Sequence, residues 1–268
     1  MSLDTFKKTI WDYYKKYGRH DLPWRKTKDP YRILVSEMML QQTQVSRVIP
    51  KYKNFLKKFP TVEALAKAPL RQVLIQWQGL GYNRRALYLK KCAEKVVTDF
   101  DGKFPKDVKT LVSLPGIGPA TAGDILAFAY NIPVPIIETN IRSVFIHFFF
   151  PNKKKISDKQ ILPLIGKTMG KGNPREWYWA LFDYGAYLKT SGSGNPSRRS
   201  AHHTKQSPFK GSNRQIRARI LRLILEKPRT EKEITKILGQ TPSIVAKNLA
   251  SFVREETIVK RKSRFQIR

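Results

Sequence analysis

The sequence predicts an all-α fold for most of this chain of 268 residues. Apolar residues recur three or four positions apart in most segments, as in amphipathic helices, and the alternation typical of strands is nearly absent before residue 255. Proline and glycine separate these segments at short intervals, for example at Pro23, Pro60, Gly81 and Pro115. We therefore expect a protein built from helices with short loops between them.

The charge of the chain predicts a polyanionic partner. It contains 52 Lys and Arg residues against 20 Asp and Glu residues, a formal net charge of +32. Such a charge repels itself in the folded state, so nucleic acid is the first expectation and an anionic membrane surface the second. No apolar run approaches the roughly 20 residues that span a bilayer, and the first residues lack a signal-peptide pattern. We expect a cytoplasmic protein without a membrane partner, associated with the nucleoid if its source is prokaryotic.

Cys92 is the single cysteine of the chain. One thiol cannot build a disulfide, a cysteine-ligated zinc site or an iron–sulfur cluster, so we expect none of these. Its place in the amphipathic segment LYLKKCAEKVV predicts a buried structural residue. His202 and His203 have no further ligand partners in sequence, and no metal site is expected there.

The composition changes after Leu188. Residues 189–213 are rich in Ser, Gly and basic residues and predict a linker, or a strap that contacts DNA. Residues 214–268 predict three helices followed by two short strands, the pattern of a winged helix-turn-helix module whose recognition helix runs from about Pro242 to Glu255. A helical dimerisation domain is the alternative, and the basic composition favours nucleic acid.

The segment LPGIGPATAGDI, residues 114–125, predicts a tight hairpin between two helices. Gly116 and Gly118 permit the turn, and the following helix begins at or near Pro119. Backbone N–H groups at such a helix start bind a phosphate without recognising a base. An ordinary turn is the alternative for a bare G-x-G pattern, but the helical and basic context favours the phosphate site.

The segment PIIETNIRSV, residues 135–144, allows two interpretations. Thr139 or Asn140 could cap a helix that begins at Ile141, because both side chains accept hydrogen bonds from free backbone N–H groups. Glu138 could instead be a working carboxylate. The residues alone leave both interpretations open.

Several segments together resemble the adenine DNA glycosylases of the MutY type, in the helix-hairpin-helix superfamily that also contains endonuclease III. The resemblance covers roughly residues 5 to 188 and rests on the hairpin and on LPWR (22–25), PYRILVSEMMLQQTQVSRVIP (30–50), FPTVEALAKAP (59–69), WQGLGYNRRALYL (77–89) and GKFP (102–105). It implies a two-domain helical fold with the substrate nucleotide in the cleft between the domains. The implied parts are a six-helix module, 25–131, with the hairpin at 114–125, and a second domain from 1–24 plus 132–188.

The resemblance also implies a pair of catalytic carboxyl groups. Glu37 matches the general acid that protonates the leaving adenine, and its apolar neighbours would raise its pKa. Glu138 stands where the family carries an aspartate that stabilises the oxocarbenium ion, and Asn140 matches the amide that positions this site. A glutamate reaches one methylene further, so the cleft or the substrate is expected to differ.

The DNA-binding residues are likewise implied by the resemblance. Gln42 and Tyr82 match the residues that intercalate around the opposite base once the target base is flipped out, and Gln41 and Gln44 are expected on the same helical segment as Gln42. For Tyr82 a packed aromatic after the GLG turn is the alternative. The wider set adds the hairpin residues Gly116, Gly118 and Thr121. It also adds Arg25 and Arg84, with Trp24 beside them, which would line the base pocket or contact the DNA backbone.

Three departures from the family pattern bear on function. Ala120 replaces the lysine with which bifunctional relatives form a Schiff base, which indicates a hydrolase without lyase activity. Residues 189–213 stand in place of the four-cysteine cluster loop, so no cofactor is expected beyond a monovalent cation that the hairpin could hold. The C-terminal segment is not the β-rich domain with which the family recognises 8-oxoguanine.

The sequence thus predicts a monofunctional DNA glycosylase of base excision repair. We expect a monomer that binds double-stranded DNA with a mispaired or damaged base and hydrolyses the glycosidic bond of adenine opposite guanine or 8-oxoguanine. A thymine or uracil glycosylase for mispairs with guanine is the alternative within the same fold. A non-catalytic DNA-binding or lesion-recognition protein is the alternative from another class, and two carboxyl groups facing DNA speak against it.

Overall fold

The computed structural model describes residues 1–169, 172–192, 194–206 and 208–268. The chain is mostly helical, which confirms the predicted fold class. The helices of the described residues are α1 Leu3–Tyr17, α2 Pro30–Leu40, α3 Val45–Lys58, α4 Val62–Lys67, α5 Leu70–Trp77, α6 Arg84–Phe100, α7 Val108–Val112, α8 Pro119–Tyr130, α9 Thr139–Phe149, α10 Asp158–Met169, α11 Pro174–Leu188, α12 Asn213–Glu226, α13 Glu231–Leu238 and α14 Pro242–Arg254. No helix among them is long and apolar enough to cross a bilayer.

The chain forms two compact units. The first comprises residues 1–37, 104–113 and 117–205, and the second comprises residues 38–103, 114–116 and 206–268. Each unit is therefore assembled from segments that are distant in sequence.

The core of the first unit forms around Phe6 of α1. This ring is fully buried and lies 5.2 Å from the ring of Phe145 in α9 and 6.0 Å from that of Trp177 in α11. Helices α9 and α11 approach closely at Gly185, where an added Cβ would lie 2.4 Å from the carbonyl oxygen of Asn140. This packing fixes the N-terminal end of α9 against α11.

The second unit has its own core, with Phe55 of α3 and Trp77 of α5 fully buried and their rings 6.1 Å apart. The indole N–H of Trp77 donates to the carbonyl of Gly81 at 3.1 Å, which ties the turn after α5 to the core. Cys92 of α6 is also buried, as its sequence context predicts.

The end of the second unit contains the strands of the described residues, β1 Arg229–Thr230, β2 Ile258–Arg261 and β3 Arg264–Ile267. They form an antiparallel sheet in the order β1-β3-β2, and α12, α13 and α14 precede the β2–β3 hairpin. The predicted order of three helices and a hairpin is confirmed, whereas the two-residue strand β1 is too short to leave a pattern in sequence. The assignment as a winged helix-turn-helix stays a prediction.

Candidate active site

Glu37 lies near the end of α2, between the buried residues Ser36 and Met38, and is itself half-buried. Burial, reinforced by the negative charge of Glu138, raises the pKa of Glu37 to about 8, while the positive charge of Arg25 opposes the rise. A carboxyl group with this pKa keeps its proton at neutral pH and can donate it to a substrate.

Glu138 immediately precedes α9 and caps it with its own side chain. Its Oε1 atom accepts hydrogen bonds from the backbone N–H groups of Asn140 at 2.6 Å and Ile141 at 2.8 Å. The expected cap by Thr139 or Asn140 is therefore wrong, and the helix begins at Thr139 rather than Ile141. Glutamate is not among the preferred capping residues, and this is why the sequence pattern favoured its neighbours.

The hydrogen bonds at Glu138 distinguish its surroundings from those of Glu37. Burial raises the pKa of Glu138, but its backbone hydrogen bonds and the charges of Lys189 and Arg142 oppose the rise. At Glu37 the charge of Arg25 is the opposing influence. A helix N-terminus also favours a negative group at this position. We therefore expect Glu138 to ionise first and Glu37 to keep its proton.

Asn140 connects Glu138 to Lys189. Its Nδ2 donates to Glu138 Oε2 at 3.2 Å, and its Oδ1 accepts a hydrogen bond from Lys189 Nζ at 2.6 Å. The structure thus brings the predicted residues Glu138 and Asn140 together and adds a lysine that the sequence did not single out. Burial lowers the pKa of Lys189 and the charge of Glu138 opposes this change. Since Lys189 follows α11 by one residue, only the packing of α9 on α11 reveals its role.

Asp124 of α8 is a third acidic residue of this site, and the sequence analysis missed it. It is 6 % exposed, and its Oδ1 atom has no hydrogen-bond partner within the described residues. Burial, together with the negative charges of Glu37 and Glu138, raises the pKa of Asp124 well above its usual range. These surroundings favour the uncharged form of Asp124. The available signal was one acidic residue in the otherwise apolar stretch AGDILAFA.

Arg25 is buried rather than available at a surface. Its Nη1 and Nη2 atoms donate to Asp183 Oδ2 at 2.8 Å and Oδ1 at 2.9 Å, and Arg19 Nε donates to the same carboxylate at 2.6 Å. A contact of Arg25 with the DNA backbone would require its guanidinium to leave Asp183. This arrangement favours a positioning role, in which its charge acts on Glu37, and the predicted contact with DNA stays a prediction.

In the second unit, Gln41, Gln42 and Gln44 are exposed in the turn between α2 and α3. Their expected placement on one helical segment is wrong, because α2 ends at Leu40 and Gln42 has a φ of 55°, which a right-handed helix does not contain. Tyr82 has a φ of 46° and is 38 % exposed, which does not fit the alternative of a packed aromatic. Non-glycine residues in this conformation often mark functional turns.

Arg85, which the sequence analysis also missed, holds these two turns together. Its guanidinium is buried and donates to several main-chain carbonyls, at 2.6 Å to Met38, 3.2 Å to Met39, 2.6 Å to Gln41, 3.2 Å to Leu80 and 3.1 Å to Gly81. Burial lowers the pKa of Arg85 to about 10, so it stays positively charged. Its neighbour Arg84 is exposed and lies 5.1 Å from the ring centre of Tyr88.

The hairpin glycines have different reasons to be glycine. Gly116 has a φ of 79°, and a Cβ there would lie 2.7 Å from the Cβ of Tyr88. Gly118 is the N-cap residue of α8 and has no capping side chain, and a Cβ there would meet nothing within 4 Å. The first-turn N–H groups of Ala120 and Thr121 have no partner within the helix and suit an anion. Since Thr121 is buried, we expect its backbone rather than its hydroxyl to serve there.

Within the described ranges, no group of three or more His, Cys, Asp or Glu side chains could hold a metal ion. A monovalent cation at the hairpin stays a prediction.

Comparison with known proteins links this geometry to one family. Residues 35–167 match the model described as HhH-GPD superfamily base excision DNA repair protein. An adenine DNA glycosylase of Buchnera aphidicola subsp. Baizongia pistaciae (strain Bp) is 40% identical over 192 residues, which cover 70% of this chain and 54% of the relative. The chain thus spans about half the length of that curated relative.

Two further comparisons involve glycosylases for other bases. A thymine/uracil-DNA glycosylase of Pyrobaculum aerophilum is 36% identical over 151 residues, 56% of this chain and 66% of the relative. The solved structure of a thermostable thymine-DNA glycosylase has a TM-score of 0.64 and 26% identity, and the likeness covers 72% of this chain and 90% of that chain. The predicted helix-hairpin-helix glycosylase fold is confirmed by these likenesses.

Proposed function

Because this chain belongs to the HhH-GPD superfamily of base excision DNA repair proteins, through residues 35–167, we propose that it is a DNA glycosylase that removes a mispaired base by hydrolysis. The proposed substrate is double-stranded DNA with adenine opposite guanine or 8-oxoguanine. The similarity to a curated adenine DNA glycosylase supports the choice of base.

One observation carries this proposal, the presence in the first unit of two carboxyl groups, Glu37 and Glu138, whose surroundings differ. Glu37, with its pKa raised to about 8, is the acid, and Glu138, with two backbone hydrogen bonds to one oxygen, is the carboxylate. Breaking a glycosidic bond requires a proton for the leaving base and a negative charge for the cationic sugar. Two carboxyl groups whose environments separate their pKa values meet both requirements.

The proposed reaction begins when Glu37 transfers its proton to a ring nitrogen of the flipped base. The bond between the base and the sugar carbon then breaks, its electron pair leaves with the base, and the sugar becomes an oxocarbenium ion. The Glu138 carboxylate stabilises this cation, held in place by Asn140 and by the first turn of α9. Water adds to the sugar carbon, and the Glu37 carboxylate accepts the proton that water loses.

Ala120 supports hydrolysis without strand cleavage. A β-lyase step needs an amine to form a Schiff base with the sugar, and a methyl side chain cannot supply one. We propose that the product is an intact strand with an abasic site.

A second candidate is the removal of thymine or uracil opposite guanine. The likeness to the thymine/uracil glycosylase of Pyrobaculum aerophilum and to the thymine-DNA glycosylase structure favours it. The glutamate at position 138, where the family pattern has aspartate, is consistent with a changed substrate.

The test is an excision assay on duplexes that carry adenine, thymine, uracil or hypoxanthine opposite guanine or 8-oxoguanine. Abasic sites are detected by alkaline cleavage, and omission of alkali reports any lyase activity. Adenine excision supports the first candidate, and excision of pyrimidines alone replaces it by the second. If no duplex is cleaved while DNA is still bound, the proposal of an enzyme is wrong and a DNA-binding protein remains.

The matched control for this assay is Glu37→Gln, which keeps the shape of the side chain and removes its transferable proton. We expect it to bind DNA as the wild type does and to lose excision by about 100-fold or more. Equal excision by both proteins would show that another group supplies the proton.

A further inference from the structure

Two residues of the C-terminal segment hold the tips of the exposed turns in the second unit. The side-chain amide of Gln206 donates to Gln42 Oε1 at 2.8 Å and also to the hydroxyl of Tyr82. Arg214 Nη1 donates to the same hydroxyl at 3.0 Å, and its guanidinium lies 5.7 Å from the centre of the Tyr82 ring. Gln42, Tyr82, Gln206 and Arg214 therefore form one continuous polar surface, which we term the wedge surface.

Contacts elsewhere in the second unit fix the position of Arg214. It lies in the first turn of α12, and at the other end of this helix the carbonyl of Leu225 accepts a hydrogen bond from Arg71 Nη2 at 2.6 Å. Lys91 of α6 forms an ion pair with Glu256, which follows α14. The C-terminal helices are thus attached to α5 and α6, and Arg214 is presented beside Tyr82 by a packed helix.

We infer that Arg214, assisted by Gln206, recognises the base opposite the one that is excised, and that this base is guanine. The inference rests on the proposed function, in which Gln42 and Tyr82 enter the duplex around the opposite base. Whatever nucleotide these two residues touch is also within reach of the Arg214 guanidinium, because all three side chains share the wedge surface.

The chemistry of arginine selects guanine among the bases. A guanidinium only donates hydrogen bonds, and its fork matches two adjacent acceptors. Guanine offers such a pair in O6 and N7, whereas adenine combines an acceptor with a donor. In 8-oxoguanine N7 carries a proton, so this pair of acceptors is lost.

Guanine is also an opposite base in both candidate activities. Adenine opposite guanine and thymine opposite guanine differ in the excised base and agree in the opposite one. The role of Arg214 therefore holds whichever base is removed, and it gives the C-terminal segment a function in specificity rather than in general affinity.

The experiment measures binding to a duplex with a tetrahydrofuran abasic-site analogue opposite guanine or opposite 7-deazaguanine, which lacks the N7 acceptor. This readout needs no chemistry, so it is independent of whether the protein excises a base. The variants are Arg214→Met and, as matched control, Arg222→Met, which removes an exposed positive charge from the same helix.

We expect the wild type to bind the guanine duplex about 10-fold more tightly than the 7-deazaguanine duplex. Arg214→Met should bring this ratio close to one, whereas Arg222→Met should keep it and lower both affinities alike. The inference is overturned if Arg214→Met retains the ratio, or if both variants change it equally. If the wild type excises no base but still binds the guanine duplex more tightly than the 7-deazaguanine duplex, and Arg214→Met loses this difference, the proposed function is wrong and the role of Arg214 stands.

Discussion

The Oε1 atom of Glu138 accepts the backbone N–H of Ile141 at 2.8 Å, so the carboxylate proposed to stabilise the sugar cation also holds the first turn of α9. The helix in return aims its partial positive charge at this carboxylate and favours the ionised form. Glu138 thus combines two roles, the cap of α9 and the proposed stabilisation of the sugar cation. A substitution has to remove one role and keep the other before the effect of either can be measured.

Glu138→Gln makes this separation, because its amide oxygen can still accept both backbone hydrogen bonds while the negative charge is lost. We expect single-turnover excision to fall by about 100- to 1,000-fold and the free energy of unfolding by about 1 kcal/mol or less. The control is Asn173→Ala, which removes the side-chain cap of α11 and should cost about 1 kcal/mol without loss of excision. A Glu138→Gln rate within a few-fold of the wild type would exclude Glu138 as the stabilising anion.

The raised pKa of Glu37 predicts that excision falls as pH rises. Since the acid must carry its proton, the single-turnover rate should decline tenfold per unit above the pKa of about 8. The measurement is the rate between pH 6 and pH 10 under conditions that saturate the enzyme with DNA. A rate that stays level up to pH 10 would contradict a general acid at this position.

The same group should also make stability depend on pH. Its ordinary pKa of 4.5 is raised to about 8 in the folded state, so its favourable contribution is complete below 4.5 and is lost as pH rises through about 8. Glu37→Gln should therefore gain stability over the wild type between pH 5 and pH 9, by up to roughly 4 kcal/mol. Chemical denaturation of both proteins at each pH provides the difference.

Asp124→Asn tests whether the third acid takes part in proton transfer. Burial and the neighbouring carboxylates raise the pKa of Asp124 well above its usual range, so a neutral amide imitates the uncharged form that these surroundings favour. We expect this variant to keep the excision rate within a few-fold and the alkaline limb of the pH profile in place. Above pH 4 the variant should become increasingly more stable than the wild type, because Asp124 ionises there in the unfolded wild type and not in the folded one. A displaced alkaline limb would instead show that Asp124 and Glu37 share a proton.

The two carboxyl positions proposed to be catalytic could be predicted from sequence through the family resemblance of the segments that contain them. Glu37 stands inside the run SEMMLQQTQV, and Glu138 directly precedes an apolar helix. The identity of the capping residue of α9 could not be predicted from sequence, since Thr139 and Asn140 are both better capping residues by type than Glu138. Only the backbone conformation shows which side chain turns back onto the free N–H groups.

Contacts between distant segments were beyond any local pattern. Lys189 meets Asn140 across 49 positions, and Gln206 meets Gln42 across 164. The pKa of Asp124 is raised by burial and by the carboxyl groups of two other segments, Glu37 and Glu138, which meet it only in the folded first unit. Such pairs depend on helix packing, and the period of a helix shows which face is buried without showing what it meets.

Arg85 and Arg84 are adjacent in sequence, but their replacement by methionine should affect different properties, stability for Arg85 and DNA binding for Arg84. Arg85→Met leaves several buried carbonyls without their donor, so we expect a loss of roughly 2 to 4 kcal/mol in the free energy of unfolding. Arg84→Met removes an exposed charge and should weaken DNA binding by a few-fold with stability unchanged. Thermal unfolding and a DNA titration of both variants distinguish them. Equal stability losses would contradict the positioning role of Arg85.

Gly116→Ala and Gly118→Ala provide the last matched pair, because the two glycines have different reasons to lack a side chain. At Gly116 an alanine would have a φ of 79° and a Cβ 2.7 Å from that of Tyr88, so we expect a loss of roughly 2 to 4 kcal/mol in stability. At Gly118 the φ of −91° suits alanine and nothing lies within 4 Å, so the fold should be unaffected. If this open backbone receives a DNA phosphate, the added methyl group should weaken duplex binding by about 10-fold. Unaltered affinity of Gly118→Ala, measured at fixed salt beside the wild type, would show that the phosphate does not bind at this helix start.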